Sequence, residues 1–146
     1  MRAKDLSVGL AGVTLAAVAW AASPAIAENV SFKADLSAAS QVPPNTSKGT
    51  GSAVVTYDTV SKQLTWNVTF SGLTGNATAA HFHGPAEPGK NAGVAVPIPG
   101  TASPMSGSAT LTDVQAADLM AGKWYVNIHT ADNKGGEIRG QVVKGK

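Results

Sequence analysis

The chain has 146 residues, three histidines, no cysteine and a net charge of only +2. The lack of cysteine excludes disulfides, thiolate metal sites and cysteine nucleophiles. The small net charge gives no electrostatic footprint for nucleic acid or acidic membranes, so we expect neither as a partner.

The start of the chain has the order of a secretory signal peptide. Two basic residues precede an apolar run over residues 8–22, and the small-residue triplet Ala25-Ile26-Ala27 follows. The run is about 15 residues long, whereas a membrane-spanning helix needs roughly 20. We therefore predict a signal peptide over residues 1–27 and one domain over residues 28–146. The expected location is secreted or periplasmic, with no stable membrane insertion after cleavage.

Alternating hydrophobicity predicts strands in the first half of the domain. Residues 30–36 alternate apolar and polar side chains, as a strand with one buried face does. Residues 51–57 and 63–70 continue this pattern on either side of a five-residue connection, which predicts a β-hairpin. Residues 77–83 form the next predicted strand.

The second half begins with a segment rich in proline and glycine, residues 84–100, which predicts a long surface loop followed by a short edge strand. A modest strand is expected over residues 106–111. Thr112 and Gln115 then have the spacing of a capping box, which predicts one short helix near residues 113–121.

The last predicted element is a hairpin of residues 124–130 and 136–143. Period two places Trp124, Val126 and Ile128 toward the core and the intervening side chains toward solvent. Together the elements predict an all-β domain, an antiparallel Greek-key sandwich or barrel of about seven or eight strands with one short helix.

Six short motifs resemble the CHRD domain, a family first named from chordin. In chain order they are Phe32-Lys33-Ala34-Asp35-Leu36, Gln41-Val42-Pro43-Pro44, Gly49-Thr50-Gly51-Ser52-Ala53, Ala80-His81-Phe82-His83-Gly84-Pro85, Tyr125-Val126-Asn127-Ile128-His129-Thr130 and Gly135-Gly136-Glu137-Ile138-Arg139-Gly140-Gln141. Gln41 stands where glutamate is common in that family. The resemblance implies an all-β extracellular module, single in bacterial proteins, without a settled biochemical activity.

The three histidines form the one group that could carry chemistry. His81 and His83 are two apart on a predicted strand and project from the same face, and His129 is outward on the last hairpin. If the two strands are neighbours, the three imidazoles converge on the solvent face of the sheet. Such a set suits copper or zinc. The alternative is that the His-x-His pair only decorates the surface.

The register of the last hairpin predicts a partner for His129. Placing 129 opposite 137 also pairs Asn127 with Arg139 and Tyr125 with Gln141, which leaves a polar outer row. Glu137 could then accept a hydrogen bond from His129 and fix its tautomer. The alternative for Glu137 and Arg139 is a cross-strand ion pair with a structural role.

Three functions follow from these features. The first is an exported binding module that holds copper or zinc at His81, His83 and His129 and captures the metal without turnover. The second is an interaction or adhesion module that binds an extracellular protein or polysaccharide without metal. The third is a redox enzyme similar to copper-zinc superoxide dismutase, in which a His-x-His pair and a distant histidine also bind copper. This chain lacks the further histidine that bridges the two metals of that enzyme, which disfavours a full dismutase and leaves the question of an enzymatic activity open.

Overall fold

The computed structural model of the chain describes residues 22–146. The predicted signal peptide therefore lies mostly outside the described residues. Its last part, residues 22–27, is exposed and has no regular secondary structure. Within residues 22–146, no helix has both the length and the apolar character needed to cross a membrane.

The described residues form nine β-strands, one α-helix and one turn of 3-10 helix. The strands are β1 (Asn29–Ser37), β2 (Thr50–Asp58), β3 (Gln63–Ser71), β4 (Ala77–His83), β5 (Val94–Ile98), β6 (Met105–Thr110), β7 (Tyr125–Thr130), β8 (Ile138–Gln141) and β9 (Val143–Lys144). The α-helix is α1 (Asp113–Met120), and the 3-10 turn spans Ala38–Ser40.

The strands make one antiparallel sheet in the order β5-β4-β7-β8-β1-β2-β3-β6, and β9 adds to β1. The sheet curls into a nearly closed barrel, in which the edge strands β5 and β6 approach one another. The strand order departs from chain order where β7 and β8 lie between β4 and β1, as in Greek-key folds. The all-β antiparallel prediction with one short helix is confirmed.

Buried and exposed side chains alternate along the strands, and the buried ones form the core. Leu64, Trp66 and Val68 are buried on β3 while the residues between them are exposed, because one face of this strand meets the barrel interior and the other meets solvent. The same inward set includes Phe82 on β4 and Val126 on β7. Phe82 contacts both tryptophans of the core, with ring centroids 5.4 Å from Trp66 and 5.8 Å from Trp124.

The helix begins with the predicted capping box. The hydroxyl of Thr112 accepts from the Gln115 amide, and the Gln115 side chain accepts from the Thr112 amide. Two backbone donors that the helix itself cannot satisfy are thus paired. Gly122 follows with φ of 74°, a left-handed conformation that ends the helix.

The prediction that the outer row of β7 and β8 faces solvent is wrong. Tyr125, Asn127 and Arg139 in this row are all buried. The cause is a second layer: the loop of residues 84–93, here called the 84–93 loop, and the segment around Gln41 both fold over this side of the sheet. Both faces of β7 are therefore covered.

Candidate metal centre

Adjacent strands bring the three histidines together. β4 and β7 pair antiparallel, with His81 opposite Asn127, His83 opposite Tyr125 and His129 opposite Ala79. Because side chains two residues apart share a face, all three imidazoles project from the same side of this pair. The two strands are neighbours, as the prediction requires, and the three histidines form one group.

The imidazole nitrogens are close enough to share one ion. One nitrogen of each ring lies within 4.8 Å of the others, and Nδ1 of His81 is 3.2 Å from Nε2 of His129. Metal–nitrogen bonds near 2.0–2.1 Å place tetrahedral ligands roughly 3.3–3.4 Å apart. The His81–His129 pair already meets that spacing.

Two backbone carbonyls fix the ring tautomers. Nδ1 of His83 lies 3.0 Å from the carbonyl oxygen of Ala92, and Nδ1 of His129 lies 2.9 Å from that of Lys134. A carbonyl oxygen can only accept, so each Nδ1 carries the hydrogen and each Nε2 keeps its lone pair. With this tautomer, Nε2 of His129 accepts a hydrogen bond from Nδ1 of His81. A metal ion bound between the two rings would replace the hydrogen of this bond.

Nε2 of His83 has no hydrogen-bond partner among the described residues, although it is buried. A buried polar atom without a partner is costly, by about 1–3 kcal/mol. Because this lone pair belongs to the three-histidine cluster, a bound metal ion would satisfy it.

Burial favours the neutral form of His81 and His83. Burial is the main cause that lowers the pKa of His81, and the neighbouring His129 adds to the effect. Burial also lowers the pKa of His83 and outweighs the hydrogen bond to Ala92, which acts in the opposite direction. Neutral imidazole is the form that binds a metal, so both rings are in the ligand state without losing a proton.

The cluster is less exposed than predicted. His81 and His129 are partly exposed, but His83 is 9% exposed and its ring stacks on Tyr125 with centroids 4.9 Å apart. The hydroxyl of Tyr125 in turn bonds the backbone of Ala92. His83 is therefore a packed residue as well as a candidate ligand, contrary to the expected solvent face.

Arg139 is a site residue whose role the sequence did not reveal. Its guanidinium carbon lies 3.5 Å from the centre of the Tyr125 ring, a cation–π contact, and the side chain is 2% exposed. It donates to the side chain of Asn91 and to the carbonyl of Lys90, which fastens the 84–93 loop over the site. The hairpin register predicted the position of Arg139 but not the loop above it.

The predicted hydrogen bond from His129 to Glu137 is wrong. Glu137 is fully buried, and its carboxylate accepts from Ser47, Thr74, Thr130 and Asn133 rather than from His129. The backbone register holds, since Asn127 pairs with Arg139 and Tyr125 with Gln141. The turn after β7 directs the Glu137 carboxylate away, and the Lys134 carbonyl takes its place at His129.

Asn127 joins this layer to the segment around Gln41. The side-chain amide of Gln41 donates to Asn127 at 2.9 Å, and both residues are buried. The amide of Asn127 also reaches the carbonyl of Gly135 at 3.4 Å. These contacts hold the loop before β8 against the sheet beside His129.

The family comparison covers all six sequence motifs. The sequence model of the CHRD domain matches residues 32–142. The chain belongs to the CHRD family. The match includes all three histidines of the CHRD domain as well as Glu137 and Arg139. Comparison with curated proteins and with solved structures gives no significant match.

Proposed function

We propose that this CHRD protein is an exported binding module that holds copper or zinc at His81, His83 and His129. The observation that carries the proposal is the convergence of three imidazole nitrogens within 4.8 Å. Two of the rings are held by backbone carbonyls at Nδ1, which leaves the lone pair of each ring on Nε2. Ordered rings lose little entropy on binding, which favours a ligand site over surface decoration.

The donor set selects the class of metal. Imidazole nitrogen suits copper and zinc, whereas calcium and magnesium require oxygen ligands. Zinc would complete a tetrahedral shell with water, as in sites that have three histidines. The chain contains only three histidines and all are in the cluster, so none is left to bridge a second metal. This favours capture of one ion over dismutase chemistry.

The start of the folded domain supports export. Residues 22–28 are exposed, and among the residues that the structure describes the backbone of Glu28 exchanges two hydrogen bonds with Thr59. The small-residue triplet that ends at Ala27 is therefore accessible. Cleavage there would leave β1 and its neighbours complete.

The test is calorimetric titration of the apo protein with Cu(II) and with Zn(II) at pH 7.5. We expect one ion per chain with a dissociation constant at or below the micromolar range. His81→Ala and His129→Ala each remove one ligand and should weaken binding by about 100-fold or more. Thr78→Ala, an exposed position on the same strand as His81, is the matched control and should bind like wild type.

Acidification provides a second readout, because each ligand must be neutral. Binding should weaken on acidification, and because the pKa values of His81 and His83 are lowered, protonation of these two rings should occur below the ordinary imidazole pKa of 6.5. Wild-type protein that binds neither ion at micromolar concentration, or a His81→Ala variant that binds as tightly as wild type, would contradict the proposal. Either result would favour the alternative of a metal-free module for a protein or polysaccharide partner.

A further inference from the structure

We propose that the site prefers copper as Cu(I) over Cu(II) and Zn(II), and that the buried charge of Arg139 contributes to this preference. The inference rests on the metal-binding function proposed above. It concerns the oxidation state of the ion, which the three-histidine geometry alone does not select.

The ligand set itself is neutral. Within residues 22–146, the cluster contains histidine only, without an aspartate or glutamate. His83 and His129 are oriented by the carbonyls of Ala92 and Lys134 rather than by carboxylates. A carboxylate behind an imidazole raises its basicity and stabilises a divalent ion, and a carbonyl does so less. The ligands and the groups that orient them therefore neutralise none of the charge of the metal ion.

Burial of the site disfavours a divalent metal ion more than a monovalent one. His83 is 9% exposed and its ring is enclosed by Tyr125 and the 84–93 loop. The cost of moving an ion out of water increases steeply with its charge, because solvation energy scales with charge squared. A monovalent ion at this position loses less solvation than a divalent one.

Arg139 adds a fixed positive charge close to the ligands. Its guanidinium stacks on Tyr125, whose ring stacks on His83. The groups that accept from it, the Asn91 side chain and the Lys90 carbonyl, are neutral. Among the described residues the ion pairs are Lys62–Asp113 and Lys123–Glu87, and neither includes Arg139.

The field of this charge reaches the site. The guanidinium carbon of Arg139 lies 3.5 Å from the centre of the Tyr125 ring, and the centroid of the His83 ring lies 4.9 Å from that of Tyr125. At this range the guanidinium repels a bound cation, and by Coulomb's law the repulsion is twice as strong for a divalent as for a monovalent cation. Copper has an accessible monovalent state, whereas zinc has no redox chemistry and requires a fourth ligand.

The experiment compares the affinities of one protein preparation for three probes. Cu(I) is measured without oxygen against a Cu(I)-specific chelator, and Cu(II) and Zn(II) are measured against chelators of known affinity at pH 7.5. We expect Cu(I) to bind more tightly than either divalent ion. The ratio of the Cu(I) to the Cu(II) affinity fixes the reduction potential of the bound copper, which is measured independently by redox titration.

Variants of Arg139 isolate the charge. Arg139→Gln should reduce the ratio of Cu(I) to Cu(II) affinity about tenfold, which corresponds to about 59 mV for a one-electron couple. Arg139→Lys keeps the charge and should retain most of the ratio. Lys123→Gln removes an exposed cation that pairs with Glu87 and should leave the ratio unchanged.

The outcomes separate the two proposals. If Cu(II) or Zn(II) binds to the wild-type protein and Cu(I) binds more weakly, this inference is overturned while the metal-binding function stands. A folded Arg139→Gln variant with an unchanged ratio overturns the role of Arg139. If Arg139→Gln does not fold, the wild-type affinities still decide whether the site prefers Cu(I). The Arg139→Lys variant then tests the role of the charge, and loss of the ratio in this variant would contradict that role. If no ion binds, both proposals fail.

Discussion

Glu137 shows how one buried charge can organise several segments. Its carboxylate accepts five hydrogen bonds from Ser47, Thr74, Thr130 and Asn133, which belong to three different parts of the chain. Burial raises the pKa of Glu137, but these hydrogen bonds outweigh it and lower the pKa to about 2. The group therefore stays ionised and holds the turn in which the Lys134 carbonyl orients His129.

We predict that Glu137→Gln lowers the free energy of unfolding by about 1–3 kcal/mol at pH 7, because the amide nitrogen faces donors that then lack an acceptor. The folded-state pKa is below its ordinary value of 4.5, so the stability that Glu137 contributes is present above pH 4.5. It is lost as the pH falls from 4.5 toward about 2. Urea unfolding at pH 7 and pH 3 measures both effects.

The control for this prediction is Glu87→Gln, which alters an exposed ion pair with Lys123 and should change stability by less than about 1 kcal/mol. A difference between wild type and Glu137→Gln that is the same at pH 3 as at pH 7 would show that the carboxylate charge does not stabilise the fold.

At the scale of elements, the turn between β7 and β8 is the part of the hairpin that shapes the site. It contains Gly135 and Gly136, of which only the second has a left-handed backbone, with φ of 122°. A methyl group at Gly136 would overlap the Asn127 side chain and approach Gln41, whereas one at Gly135 would meet open space. The two adjacent glycines therefore have different roles.

We predict that Gly136→Ala destabilises the protein by about 2 kcal/mol or more, since backbone strain and overpacking each cost about 1–3 kcal/mol. It should also separate Gln41 from Asn127 and weaken metal binding through the displaced Lys134 carbonyl. Gly135→Ala is the matched control and should unfold like wild type. Thermal unfolding of both variants is the measurement, and equal melting temperatures would contradict the assignment.

For the whole molecule, the barrel and its covering layer act together. The 84–93 loop is joined to the barrel through Tyr125, Arg139 and Gln141, and Tyr125 and Asn127 on the outer face of β7 are buried. Within residues 22–146, the backbone of Glu28 exchanges hydrogen bonds with Thr59, just after β2.

We predict that a bacterial host exports the protein and cleaves it after Ala27, so that the mature chain begins at Glu28. Ala27→Phe should block cleavage, because the position before the cut requires a small side chain, while Ile26→Phe should be processed normally. Mass spectrometry of the exported protein measures the cut. A periplasmic or secreted chain that retains residues 1–27 would contradict the prediction.

The sequence by itself determined the features that depend on local periodicity. Period-two alternation of side chains along a strand assigns Trp124, Val126 and Ile128 to the core, and it assigns His81 and His83 to one face. The capping box of α1 and the register of the β7–β8 hairpin followed from short-range spacing in the same way.

The tertiary structure decided what depends on contacts between distant segments. The 84–93 loop buries Tyr125 and Arg139, and the carbonyls of Ala92 and Lys134 set the tautomers of two histidines. Glu137 binds Ser47 and Thr74, which are far away in the chain, instead of His129. Alternation specifies which way a side chain points but not what lies above it, because the covering segments reach the sheet through long loops whose paths are fixed by packing and hydrogen bonding.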